Sequence, residues 1–513
     1  MEDCYIFALI TLSLFTVLFK LFIHKPEGHK NLPPSPPGLP IIGHLHLLKE
    51  PLYQSFQALS EKYGPIFILR FGTRKVLVIT SPSAVEECFT STNDIVFANR
   101  PLTLAGKHLH YNTTTVAVAP YGDLWRNLRR ITTLQVFSTT CLAMTSGIRQ
   151  KEVKLFVNQL MKKGHGHSSS KVELKSKFFE LPFNILTMMI AGKKFYGENV
   201  DDENAASQFR YLIEKHFQLA KPENDGEFFP ILQWLTSRKV EREMVEMMKM
   251  TDEFLQNLVD ERRQILFRES HINGPSSSES KTMIDNLLLS QQKDPHFYTD
   301  EIIKGIIWVL LLAGTESSSS TMEWVMSLLL NHPDVMEKVK AEIDVHVGQD
   351  HLLEEQELRK LNYLQNVISE TLRLYPPGPL LLPHKASDDC KVGGYDVPRG
   401  ATLLVNAWAI HRDPKLWKKP EKFMPERFED ENIGEVLRMI PFGTGRRGCP
   451  GVGLANRVVG LVVGTLIQAF EWERVGEEEV DMASVPGTTT MPKLKPLEAI
   501  CRPRAAMVKH LLI

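Results

Sequence analysis

The sequence predicts a mainly α-helical fold with a minor β part, preceded by an N-terminal transmembrane helix. Three observations predict it. Apolar residues recur with helical spacing at Leu155 to Met161, Met244 to Ile265, Leu361 to Leu374 and Val452 to Phe470. Alternation of strand type is confined mainly to Ile66–Phe71 and Val76–Ile79, which flank Gly72-Thr73-Arg74-Lys75 and read as one β-hairpin. The most continuous apolar run lies at the extreme N-terminus.

That run extends from Tyr5 to Ile23 and is broken by Lys20 and a few hydroxyls. At about 1.5 Å per residue it spans roughly 28 Å, close to the hydrocarbon thickness of a bilayer. A cleaved secretory signal is disfavoured because Glu2 and Asp3 stand where a basic region belongs and no small-residue cleavage site follows. Lys20, Lys25 and Lys30 put positive charge on the C-terminal flank, which keeps that flank cytosolic. Residues 1–24 are therefore read as a membrane anchor. Residues 25–45 form a basic and proline-rich hinge, because the run Leu32 to Pro40 holds five prolines and favours stiff extended backbone.

Residues 46–513 read as one large cytosolic domain, with neither an internal repeat nor a second linker long enough to divide it. Polar stretches at 164–170 and 273–281 are surface loops. Sixty Lys and Arg against 61 Asp and Glu leave a formal charge of -1, which argues against a nucleic-acid partner. The six cysteines show no C-x-x-C spacing, so neither a disulfide scaffold nor a structural zinc site is expected.

The longest helix is expected from Asp300 to Asn331. Acids after Thr299 favour its start and Pro333 stops it. Its apolar run from Ile306 to Gly314 is too short to span a membrane, so it should cross the domain centre. In its middle, Ala313-Gly314-Thr315-Glu316-Ser317-Ser318 places a glycine and an acid where a core helix tolerates them badly, which marks a functional segment.

The chemistry concentrates in Pro441-Phe442-Gly443-Thr444-Gly445-Arg446-Arg447-Gly448-Cys449-Pro450-Gly451, just ahead of the helical Val452–Phe470. Glycines there let the backbone approach a flat, bulky group. Cys449 precedes a helix N-terminus, where the dipole and free amides favour a thiolate. A thiolate on haem iron favours O–O cleavage, and Arg447 is placed to neutralise a carboxylate.

Phe442-x-x-Gly445-x-Arg447-x-Cys449-x-Gly451 resembles the haem-binding signature of the cytochrome P450 monooxygenases, and the resemblance covers essentially the whole chain. It implies the cytochrome P450 fold, haem b with an axial thiolate from Cys449, and a site in which Phe442 and Arg447 help to bind the cofactor. Trp125 and Arg129 resemble the family's propionate-contacting helix, their i, i+4 spacing putting both on one face. His384 stands where relatives place an Arg or His on the propionates. Glu370-Thr371-Leu372-Arg373 is similar to the E-x-x-R helix, which Arg427 would complete as a structural triad. Ala313 to Ser317 resembles the oxygen-activation motif, with Glu316-Ser317 in place of the usual acid and Thr. There the alcohol would orient dioxygen and the acid help deliver protons. Serine keeps the hydroxyl but lacks the β-branch, which bears on coupling.

The hinge, the segment around Trp125 and the Cys449 loop most resemble plant microsomal enzymes. They are closest to the group containing isoflavone hydroxylases, indole glucosinolate hydroxylases, lignan methylenedioxy-bridge enzymes and diterpenoid hydroxylases. The resemblance implies a hydrophobic specialised metabolite that is hydroxylated or oxidatively bridged. It also implies O2 as co-substrate, NADPH electrons supplied through a cytochrome P450 reductase, and an endoplasmic-reticulum membrane location. Pocket residues would include Leu109, His110, Trp308, Leu312, Ala313, Leu380, Leu381 and Thr489. Arg126, Arg130, Arg438 and Arg446 are candidates for a basic face toward the reductase. Two other functions compete: a haem-thiolate isomerase or dehydratase working without NADPH, and a non-catalytic haem-protein scaffold. Glu316, Ser317 and the uninterrupted Cys449 loop argue against both.

Overall fold

The computed structural model describes residues 31–163, 169–197, 200, 203–221, 238–272, 281–429 and 439–511, together with Tyr5, Ile6, Leu9, Thr11, Leu12, Ser13 and Thr16. Lys20, Lys25, Lys30, Arg438 and most of the two polar loops lie outside them. The described residues near the N-terminus are helical, and Tyr5, Ile6, Leu9 and Leu12 are exposed.

Helices dominate. Those that build the site are α1 (Leu52–Tyr63), α2 (Asp123–Gln135), α3 (Ser146–Lys163), α4 (Leu174–Ala191), α5 (Glu203–Leu219), α6 (Arg238–Ile272), α7 (Asp300–Asn331), α8 (Asn362–Leu374) and α9 (Val452–Ala469). Helix α7 begins where the Thr299 side chain accepts the Ile302 N–H, with Asp300 and Glu301 in its first turn. It packs against α4, α6, α8 and α9, and Trp308 and Trp324 on it are fully buried. Helices α7 and α9 are both apolar and long enough to cross a membrane, but both are mostly buried inside the domain. Gly314 is there for contact: a Cβ would lie 2.8 Å from Leu186 Cδ1 of α4.

The β part is small. One sheet has the order β1-β2-β7-β4, from Ile66–Phe71, Arg74–Ile79, Thr402–Val405 and His384–Lys385. A second has the order β3-β9-β8, from Ser170–Glu173, Glu498–Pro503 and Phe470–Arg474; β5 (Cys390–Val392) and β6 (Tyr395–Val397) form a hairpin. The first hairpin is tighter than its sequence indicates. Phe71 pairs with Arg74 and Gly72 takes φ +57°, so Gly72-Thr73 alone turns the chain and Arg74-Lys75 join β2.

The described part of the hinge is pinned both to β1 and to the β5-β6 hairpin. Ile68 N–H donates to Pro34 O at 2.9 Å, and Asn31 exchanges backbone and side-chain bonds with Asp396 and Gly394. His44 accepts the Arg70 N–H through Nδ1 at 2.7 Å, so its Nε2–H donates to Pro36 O at 2.8 Å. One imidazole thus ties the segment to β1.

Candidate active site

The Cys449 loop turns tightly before α9. Cys449 N–H donates to Phe442 O at 2.9 Å, and Gly443 and Gly445 both take φ +68°. A Cβ on Gly445 would lie 2.6 Å from Asp94 Oδ1, whereas Gly443 faces open space. Asp94 anchors the loop by accepting from Arg446 N–H at 3.1 Å and by pairing with the Arg446 guanidinium at 2.9 Å. Arg446 is thereby a loop anchor as well as a surface cation, and Arg126 is similarly paired with Asp123.

Burial pushes the Cys449 thiol up; the Gly451 and Val452 N–H groups and the Arg129 charge oppose it and favour the thiolate. Residue 449 is nonetheless exposed, and Phe137 lies against the loop, 3.6 Å from where a Gly451 Cβ would sit. Ala313 is exposed too, in the middle of a helix whose neighbouring Leu311 and Leu312 are buried. Exposure of two residues set in the domain interior means that both border a hollow.

Beside the sulfur stands a cluster of cations. Arg447 donates to Ala98 O at 2.7 Å, Val116 O at 3.4 Å and Ala119 O at 2.5 Å, and stacks 4.3 Å over the Trp125 ring. Trp125 donates its indole N–H to Val116 O at 3.1 Å, so here it positions Arg447 and keeps no donor for a carboxylate. Arg100, which sequence reasoning missed, donates to Ala117 O at 3.2 Å and to Leu382 O and Pro383 O at 2.8 Å each. Burial, then Arg447, pushes its guanidinium down to about 9; burial, then Arg129, pushes Arg447 down to about 10. His384 Nδ1 bonds Phe97 O at 2.7 Å, and burial with Arg100 and Arg447 holds it well below the ordinary histidine range.

Among the described residues no carboxylate pairs with Arg100, Arg129 or Arg447. Three mutually repelling cations in a partly buried site fit a ligand bearing two carboxylates. Haem, with two propionates and an iron for the sulfur, matches this donor set. The signal in the sequence was the single arginine of Asn99-Arg100-Pro101, which carries no spacing pattern of its own.

Glu370 and Arg373 of α8 are wholly buried. Arg373 donates to Glu370 from Nε at 2.7 Å and Nη2 at 2.9 Å, and Arg427 Nε adds a bond to the same carboxylate at 3.0 Å. Arg373 also donates to His411 O and Pro420 O at 2.6 and 2.7 Å, so the triad ties α8 to the segment that leads to the Cys449 loop.

On α7, Ser317 Oγ donates to Ala313 O at 2.6 Å, keeping its lone pairs available. Burial raises the Glu316 carboxyl above its usual range, while Lys175 of α4 and Arg210 of α5 oppose the rise. A raised carboxyl is able to hold a proton closer to neutrality.

The expected pocket residues divide. Trp308 donates its indole N–H to Leu109 O at 3.1 Å, joining α7 to the segment before α2; His110 and Leu312 are buried nearby. Leu380 packs against the cluster of Phe56 and Phe67, and Leu381 against that of Leu77 and Val405. Leu382 is the exposed member of this turn, because Leu381 takes φ +53° and reverses the chain. Thr489 is exposed, next to Thr488, whose hydroxyl bonds Val485 O and Thr490 O.

The Cytochrome P450 family model matches residues 33–497. The chain is 47% identical over 506 residues to the (+)-piperitol/(+)-sesamin synthase CYP81Q2 of Sesamum radiatum, covering 98% of this chain and 97% of that one. It is 46% identical over 509 residues to an isoflavone 2'-hydroxylase of Glycyrrhiza echinata, covering 98% and 99%. Cytochrome P450 81Q32 of Catharanthus roseus is 50% identical over 505 residues, covering 98% of each. Among solved structures, a zebra fish cytochrome P450 with progesterone superposes with a TM-score of 0.74 at 25% identity, covering 88% of this chain and 100% of that one. With a thiol at a helix start, an acid–alcohol pair on the central helix and near full-length relatives in plants, the chain belongs to the cytochrome P450 family as a plant-type haem-thiolate monooxygenase.

Proposed function

We propose that this chain is a membrane-anchored monooxygenase of the endoplasmic reticulum that hydroxylates, or oxidatively bridges, a hydrophobic plant specialised metabolite such as an isoflavonoid, lignan or diterpenoid. Electrons come from NADPH through cytochrome P450 reductase, and O2 is the co-substrate. The observation that carries the reading is the near full-length similarity to plant enzymes named as isoflavone hydroxylases and a lignan-forming synthase. The intact Glu316-Ser317 pair supports turnover with proton delivery.

Bound haem, ligated through Cys449, supplies the iron centre at which dioxygen is activated. The chain does the rest. Gly451 and Val452 amides and Arg129 hold negative charge on Cys449 Sγ. Arg100, Arg129 and Arg447 would neutralise the propionates, with the neutral His384, Trp125 and Phe442 shaping their surroundings. Glu316 would hold a proton for release toward the hollow bordered by Ala313, and Ser317 Oγ, its own proton donated to Ala313 O, would accept a hydrogen bond from a water or protonated group there. Leu109, His110, Trp308 and Leu312 exclude water and orient substrate, with Thr489 contributing from a far turn, while Leu380 and Leu381 brace their turn against the sheet-side core. The Glu370, Arg373 and Arg427 triad keeps the Cys449 side of the domain in register. The exposed apolar residues from Tyr5 to Leu12 lie in the membrane, and the proline-rich hinge sets the angle of the domain above it.

The test is co-expression with a plant reductase, followed by incubation of microsomes with isoflavonoids, lignans and abietane diterpenoids, with and without NADPH. An NADPH-dependent gain of one oxygen identifies a hydroxylase; loss of two hydrogens identifies bridge formation or desaturation. Conversion of a peroxide without NADPH would replace this reading with an isomerase or dehydratase.

A further inference from the structure

The C-terminal half of α7 is fastened to the returning segment 480–497. Asn331 and Val480 exchange hydrogen bonds at 3.0 and 2.8 Å, and Glu323 accepts the Leu497 N–H at 2.9 Å. Between them, one carbonyl receives two donors. Met491 O accepts the Trp324 indole N–H at 2.7 Å and the Ser320 hydroxyl at 3.3 Å, so both its lone pairs are engaged. Met491 follows Thr490 directly in a small hairpin, where Val485 N–H donates to Pro492 O at 2.9 Å and Leu494 N–H to Ala483 O at 2.8 Å. Within its tip, the Thr488 hydroxyl donates to Thr490 O at 2.7 Å. The tip is therefore stiff in itself, and Met491 O is where α7 holds it.

The same indole reaches a second turn. Trp324, fully buried, lies flat on Tyr375 with ring centroids 4.0 Å apart and planes at 13°, and the Lys493 ammonium stands 4.8 Å from its centroid. Tyr375 ends α8 and leads into the turn in which Leu381 N–H donates to Gly378 O at 3.1 Å. A leucine would fill this core position but could neither hold Met491 O nor stack on Tyr375. On the tip's other flank, Gly487 N–H donates to Glu50 at 3.1 Å and Tyr53 shares a hydrogen bond with Ser484 at 3.1 Å. Those bonds are exposed or half-buried, so water can replace them; the indole bond is buried, and solvent does not make good its loss. Trp324 also lies two helical turns beyond Ser317, about 10.5 Å along α7. One rigid helix thus connects the tip to the oxygen-activation pair.

We propose that Trp324 is a positioning residue that holds the Thr488–Thr490 tip in register with Glu316 and Ser317, and thereby selects which carbon of the substrate is oxidised. This rests on Thr489 contributing to the pocket, as in the proposed function, and adds a residue that touches no substrate. Neighbouring carbons of a ring differ little in position, and a misplacement of about 1 Å at a reacting group costs about 100-fold in rate. A tip released by a fraction of that distance redistributes oxidation between adjacent carbons before it abolishes it.

The experiment uses the full-length haem-loaded enzyme with its reductase, and an isoflavone, a lignan and an abietane diterpenoid as substrates, with the product regioisomers separated. In parallel, dissociation constants for imidazole and for a biphenyl-substituted imidazole are read from the shift of the haem absorption band, because only the longer azole has the reach to meet the tip. Trp324→Phe keeps a ring on Tyr375 but removes the N–H. It should change the regioisomer ratio of at least one substrate, and the affinity of the longer azole, by about five- to tenfold, in line with one buried hydrogen bond. Imidazole affinity should stay as in the wild type. Trp324→His can restore a ring N–H at the same place and should return both readouts toward the wild type. Ser320→Ala, the milder variant, should shift them in the same direction, and it decides the matter where Trp324→Phe fails to load haem. Unchanged ratios and azole affinities overturn this inference, as does equal scatter in Trp324→Phe and Trp324→His. A parallel loss of both azoles also overturns it, by making Trp324 a structural residue. Thr489→Phe without effect on the longer azole overturns the pocket role of Thr489 and this inference together. If the wild type oxidises none of the three substrates, the substrate class alone fails, and the azole comparison decides this inference.

Discussion

Arg100 offers the sharpest test of the charge accounting, because its effect should reverse sign with haem. It is 8% exposed, bonded only to carbonyls, and its guanidinium is pushed down to about 9. At pH 7, below that value, the group remains charged. A base whose folded pKa lies below its unfolded value destabilises the fold fully at such a pH, and the penalty fades only as pH rises through both values. The depression corresponds to about 5 kcal/mol. Arg100→Gln removes the charge yet keeps two N–H donors for three carbonyls, losing one bond at about 1 kcal/mol. The haem-free variant should therefore be as stable as the wild type, or more stable by a few kcal/mol. The haem-bound variant should be weaker, since a charge-assisted bond contributes about 1.5–3 kcal/mol, and haem should leave about 10- to 100-fold faster. The assay is transfer of haem to an excess of a haem-scavenging protein, alongside melting of loaded and unloaded protein at pH 7. If both forms lose the same stability and haem leaves at the wild-type rate, Arg100 is only a clamp for Ala117, Leu382 and Pro383, and the argument from unpaired cations fails.

Four further outcomes follow from the same geometry. Cys449→Ser should abolish the thiolate-type carbon monoxide spectrum; its retention would remove Cys449 as the iron ligand. Ser317→Ala should lower product formed per NADPH several-fold while haem content stays constant, and an unchanged ratio would remove its role in coupling. Glu370→Ala should cost about 3–5 kcal/mol, because it leaves Arg373 and Arg427 as uncompensated buried charges; a denaturation midpoint equal to wild type would refute that. Glu323 is 1% exposed and burial raises it to about 7, so its stabilising contribution is full below about 4.5 and is lost as pH rises through about 7. Glu323→Gln keeps the acceptor for Leu497 N–H, now 2.9 Å from Oε1, and should flatten the decline in stability across that window, gaining up to about 3 kcal/mol at pH 8.

What could be read along the chain was whatever is carried by contiguous residues. Helix α7 runs over the residues its cap and its proline delimit, because Thr299, Asp300 and Pro333 act on backbone within one turn. The Cys449 loop and the Glu316-Ser317 pair were legible for the same reason: each is a short segment whose residue types conflict with ordinary packing. Leu380 and Leu381 were less legible, since Leu381's positive φ, not the alternation of the sequence, decides which neighbour faces outward.

The roles of Arg100 and Trp324 were not legible at all. An arginine before a proline looks like a surface residue, and a tryptophan in an apolar helix like plain core, until distant segments close around them. Local sequence alone determined the helical fold, the haem-thiolate signature and the family of this protein, because those rest on local periodicity and short motifs. Only the tertiary structure decided which cations lack an anion and which carbonyl the buried indole holds. The energy of a buried polar group depends on everything packed around it, and for both residues those neighbours come from segments far apart in the chain.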